Sequence, residues 1–136
     1  MSGRALAAAA EALVGARFRL HGRDPEHGLD CIGVLAAALA AIGRPQAFPT
    51  GYALRVSRPG AWLPDPAGLG FAPATGELAP GDVVLVRPGP AQVHLGIAVD
   101  GGAWVHAHAG LRRVVRSSAM PTGAPIGRWR LTDKDI

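Results

Sequence analysis

At 136 residues the chain is long enough to bury a core as one domain, residues 1–136. Hydrophobic content of 49% excludes a disordered polymer, and no apolar run approaches the ~18 residues of a membrane-spanning helix. The net charge of +4 and pI near 10.6 rest on arginine, because Lys134 is the only lysine. That balance favours anionic partners, but scattered arginines with few interleaved aromatics do not make a nucleic-acid platform.

The chain opens on Leu6, Ala9, Ala10, Leu13 and Val14 at helical spacing, which predicts a helix over residues 3–14 ended by Gly15. Glu11 interrupts what would otherwise imitate an export signal. A polar loop, ARFRLHGRDPEHGL, follows. Asp30 is an N-cap residue, so a second helix is expected from Cys31 to Ile42, with Gly43 and Pro45 beyond it. Residues 44–80 are rich in Pro and Gly and read as an irregular connection with one helical turn. From Gly81 the period becomes two. DVVLVR, VHLGIAV, AWVHAH, LRRVVRS and IGRWRL read as five strands. Helices followed by strands imply an α+β domain built on an antiparallel sheet.

Cys31 is the only cysteine, so it has no intramolecular disulfide partner, and no Cys/His spacing suggests structural zinc. It is either a small buried filler or a nucleophile. The first turn of a helix favours an anion, which predicts a partly exposed thiol of depressed pKa. A nucleophile needs a base. In VHLGIAV, His94 shares a face with Gly96 and Ala98, leaving room for the Cys31 helix to approach on that face. His106 follows in the next strand. A five-residue loop, 98–102, would pair His94 with His106, whereas a three-residue loop, 100–102, would pair it with His108.

GARFRLHGRDPEHGLDCIGVLAAAL followed by APGDVVLVRPGPAQVHLGIAVDGGAWVHAHAG resembles the NlpC family of cell-wall cysteine peptidases. The marks are DC-x-G at a helix start, PGD before the first core strand, H-x-G-I, and a third polar residue on the next strand. Together they cover roughly residues 12–116. The GRDPEHGLDC wording most resembles the phage-tail and gene-transfer-agent branch.

The resemblance implies a papain-like fold with N-terminal helices packed on a central antiparallel sheet of about five strands. It implies hydrolysis of amide bonds in peptidoglycan stem peptides, typically between D-Glu and a diamino acid, with no metal or cofactor. Cys31 would be the nucleophile, His94 the base and His106 the orienting residue. Phe18, Arg19, His21, Asp30 and His108 are candidates for substrate binding. Arg17 and Arg23 could join Arg19 in meeting stem-peptide carboxylates, and Asp82 reads as a strand-start residue. Expected partners are stem peptides and phage-tail or gene-transfer-agent tail proteins. The protein would be made in the cytoplasm and act, virion-associated, on the cell wall. Ile32 stands where many family members have Ser, and Phe18 where Tyr is common. Two other readings remain: a non-catalytic tail-hub or wall-binding module keeping the fold, and an amidase or acyltransferase using the same triad.

Overall fold

The computed structural model describes residues 2–46, 48, 65–88, 93–119 and 123–133. Helix α1 spans Ser2–Glu11, shorter than its apolar pattern suggests. It buries Leu6, Ala7 and Ala10, while Val14 lies past its end and is exposed. Helix α2 spans Cys31–Ala41. The Asp30 carboxylate accepts from the Gly33 N–H at 2.8 Å, satisfying one of the donors that a helix start leaves open. Gly43, at φ 79°, ends the run.

The predicted polar loop is more ordered than its composition suggests. Arg23–Asp24 (β1) and Gly28–Leu29 (β2) form an antiparallel ribbon immediately before α2. Gly33 is required there, because a Cβ would collide with the Gly22 carbonyl that passes against the helix. The DC-x-G spacing is thus a packing constraint as well as a chemical one.

Six further strands make one sheet: β3 (Phe71–Pro73), β4 (Val83–Arg87), β5 (His94–Val99), β6 (Ala103–His108), β7 (Arg113–Ser117) and β8 (Ala124–Leu131). Their order is β3-β8-β4-β5-β6-β7, with every neighbouring pair antiparallel. The five expected strands are β4 to β8. The sixth, β3, is short and ends on Pro73, so its pattern carries no period, and it forms only because β8 offers a ladder. The expected helical turn is a 3-10 turn at Pro66–Leu69, capped by Asp65. Of that connection, residues 47 and 49–64 lie outside the described residues.

Both helices cover one face of the sheet. There Leu6, Leu35, Ala38 and Leu39 meet Val83, Leu85, Leu95, Ile97, Val105 and Val114 in one core. Each fully buried Leu, Ile or Val contributes about 1.5–3 kcal/mol relative to exposure, so this layer holds the helices to the sheet. The helices therefore pack on the Leu95/Ile97/Val99 face, not on the His94/Gly96/Ala98 face expected from the small residues. Apolar area outweighs the room that Gly and Ala leave.

Asp82 immediately precedes β4, in the structural position expected of it. Although fully buried, it accepts from Arg130 Nε at 2.8 Å, from Arg128 Nη1 at 3.1 Å and from the Ala79 N–H at 3.0 Å. The arginine bonds hold its carboxyl below the usual range against its burial.

Candidate active site

The β5–β6 connection is a three-residue 3-10 turn, Asp100–Gly102, rather than the five-residue loop that would pair His94 directly with His106. Gly101 and Gly102 both take positive φ there. The register pairs Ile97 with Val105, Ala98 with Trp104 and Val99 with Ala103. Continued regularly, it would set His94 opposite His108. The ladder instead stops at Ile97 and Val105, so residues 94–96 and 106–108 form a fork. Within it His94 reaches diagonally. His94 Nε2 and His106 Nδ1 are 3.1 Å apart, with the rings edge to face and their centroids 5.1 Å apart. The expected contact forms by a different register.

Cys31 stands at the tip of α2 against this fork. The Leu95 N–H is turned toward its sulfur and favours the anionic form, so the peptide joining His94 to Leu95 lies against the thiol. The Ile32 and Cys31 N–H groups act in the same sense. They are outweighed. Burial first, and the Asp30 charge second, push the thiol up to about 12. Cys31 is 9% exposed. The expectation of a partly exposed thiol of depressed pKa is therefore corrected: the helix terminus favours a thiolate, but desolvation and an adjacent carboxylate oppose it more strongly.

Burial lowers His94 to about 4, with His106 and His108 adding to the effect. Burial also lowers His106, again with help from His108. At neutral pH the pair is thus two uncharged imidazoles sharing one proton in a hydrogen bond. His108 is exposed; its Nδ1 accepts from the Leu111 N–H at 3.0 Å, and its ring centroid is 5.9 Å from that of His106.

The remaining candidates divide. Asp30 is 3% exposed, with its carboxylate engaged by the His21 N–H at 2.8 Å, by Arg23 Nη1 at 2.9 Å and by the Gly33 N–H. It organises the residues before the thiol. Arg23, considered for substrate carboxylates, is committed to Asp30 instead. His21 takes a left-handed φ of 63°, which aims its N–H at Asp30. Phe18 packs against the core and bridges to Leu29, while Arg19 is exposed on the same segment. Ile32 is fully buried, so it has no polar role. Trp129 packs against the core and, with Leu35, Leu69 and Phe71, lines a small apolar cavity. Among the described residues no group of three or more His, Cys, Asp or Glu is placed to hold a metal ion, and no helix is long and apolar enough to cross a membrane.

Two helices packed on one face of a large antiparallel sheet, with the thiol at the tip of the second, make a papain-like architecture, and solved structures share this fold. NlpC1 from Trichomonas vaginalis matches with a TM-score of 0.69 at 19% identity, over 96% of this chain and 44% of that one. The NlpC/p60 domain of the peptidoglycan hydrolase SagA matches at 0.55 and 22% identity, over 97% of this chain and 100% of that one. The peptidoglycan hydrolase RipB from Mycobacterium tuberculosis matches at 0.57 and 20% identity, over 95% and 63%. The fold is that of NlpC/p60 domains. This chain spans less than half the length of the Trichomonas NlpC1 and NlpC2 proteins it matches. The sequence matches no family model and no curated protein.

Proposed function

We propose that the protein is a cysteine peptidase that hydrolyses amide bonds in peptidoglycan stem peptides, with Cys31 as nucleophile, His94 as base and His106 as orienting residue. The observation that carries this reading is the 3.1 Å contact between His94 and His106, one residue from the Leu95 N–H that faces the Cys31 sulfur. Two similar structures are named peptidoglycan hydrolases, which supports the substrate class.

The chemistry follows from the neutral resting pair. In the tautomer this reading requires, His94 Nε2–H donates to His106 Nδ1, which leaves His94 Nδ1 with a lone pair. As the sulfur attacks the carbonyl carbon, its proton passes to that nitrogen. The carbonyl oxygen becomes an oxyanion facing the N–H groups at the start of α2. His94 returns the proton to the leaving amine, giving a thioester, which water hydrolyses with His94 again as base. A neutral thiol is a poor nucleophile, so proton transfer accompanies attack. The D-Glu to diamino acid bond is the expected target. Placement on a phage tail or gene-transfer agent rests on the wording of residues 22–31 alone.

A deeply buried thiol held near 12 favours a second reading, a non-catalytic wall-binding module. Incubation with defined muropeptides and mass spectrometry of the products separates the two. The peptidase releases two fragments and Cys31→Ala does not. A binding module leaves the muropeptides whole while still retaining them.

A further inference from the structure

The face of the sheet opposite the helices carries, at its β7 edge, a row of exposed basic side chains that ends at the histidine fork. His108 pairs directly with Arg113 across β6 and β7. Arg113 in turn pairs with Arg17, because residues 15–18 cover the outer edge of β7, with Val114 N–H donating to the Ala16 carbonyl at 2.8 Å and Phe18 N–H to the Arg112 carbonyl at 2.9 Å. Directly opposed residues point their side chains to one face, so Arg17, Arg113 and His108 stand in line on the face that carries His94 and His106. All three are exposed.

Two arginines directly opposite are destabilising unless something neutralises them. Among the described residues nothing does. Arg17, Arg19, Arg112 and Arg113 make no ion pair or side-chain hydrogen bond there. Every other described arginine has a polar partner. The uncompensated charge is therefore gathered on two adjacent segments beside the site rather than spread over the surface.

We infer that Arg17 and Arg113 form an anion subsite for a carboxylate on the substrate peptide, remote from the bond that is cut. This rests on the peptidase reading and extends it to substrate choice. Two guanidinium forks in one place suit a carboxylate, which each can engage through paired N–H donors. Strands lie about 4.8 Å apart, so Arg113 is about 10 Å, and Arg17 about 14 Å, from the strand of His94. An extended peptide advances about 3.3 Å per residue. The recognised carboxylate then lies about three to four residues from the scissile bond.

The test uses fluorescein-labelled stem peptides in pairs, identical except for a free or an amidated carboxylate at a chosen distance from the bond. Binding to Cys31→Ala protein is read by anisotropy, with and without Arg17→Gln and Arg113→Gln together. A charge-assisted pair predicts about tenfold tighter binding of the free acid, confined to one distance window, and a ratio near one in the double variant. A tenfold preference that survives the double substitution, or no preference in its absence, overturns the subsite. Inorganic polyphosphate that displaces both peptides equally, with no carboxylate preference, would make the row a polyphosphate dock and also overturn it. Turnover of the same peptides by the protein with Cys31 intact is scored separately. Arginine-dependent binding without cleavage rejects the peptidase reading and leaves the subsite standing.

Discussion

The buried thiol makes a quantitative prediction about reactivity. An ordinary thiol of pKa 9.0 is ~1% thiolate at pH 7, whereas one held near 12 is thiolate in only ~1 part in 10⁵. Alkylation proceeds through the thiolate, so Cys31 in the folded protein should react with iodoacetamide ~10³-fold more slowly than in urea at the same pH. Intact mass measured over time reports both rates on one residue, because no other cysteine competes. Raising the pH from 7 to 9 should accelerate folded labelling in proportion to hydroxide, with no plateau. The opposing result is specific. Folded labelling as fast as in urea, and slowed by His94→Ala, would mean a preformed thiolate–imidazolium pair. Desolvation would then not be the governing term at Cys31.

Three further outcomes follow from the geometry. His94 is lowered from 6.5 to about 4, so folding holds it neutral; that stability is complete above 6.5 and is lost as pH falls through 6.5 toward 4. At pH 5 the loss is about 2 kcal/mol, and urea midpoints at pH 7 and 5 should show His94→Gln losing less than the parent by that amount; identical losses would contradict the assignment. His106→Ala should lower kcat by about 10–10³-fold, since an orienting partner of the base acts in the chemical step, while His108→Ala, one residue pair outward, should act mainly on KM. Asp82→Asn leaves Arg128 and Arg130 facing a neutral amide at a fully buried position and should destabilise the fold by about 2–3 kcal/mol, read as a lower urea midpoint with unchanged slope.

The sequence by itself determined the elements that local chemistry decides. Asp30 caps α2 because a carboxylate before an apolar run satisfies open N–H groups, and the period-two runs became β4 to β8, with their alternate apolar residues turned into the core under the helices. The ordered DC-x-G, PGD and H-x-G-I marks pointed to Cys31, His94 and His106; His94 and His106 do meet, and Cys31 lies against the backbone N–H of Leu95 beside them. What sequence could not decide depends on sums over the whole fold. The depressed thiol expected from a helix terminus is reversed because desolvation by the core, which no local pattern reveals, outweighs a few N–H dipoles. Helix α2 chose the Leu95 and Ile97 face because buried area, not local room, sets packing. The 98–102 loop became a 100–102 turn, yet His94 still finds His106, because strands that part after Ile97 let a side chain reach diagonally where a regular ladder would have paired it with His108. Arg17 and Arg113, 96 positions apart by number, face each other only once residues 15–18 close the edge of β7. Tertiary structure alone sets such pairings, because cross-strand neighbours need have no relation in sequence.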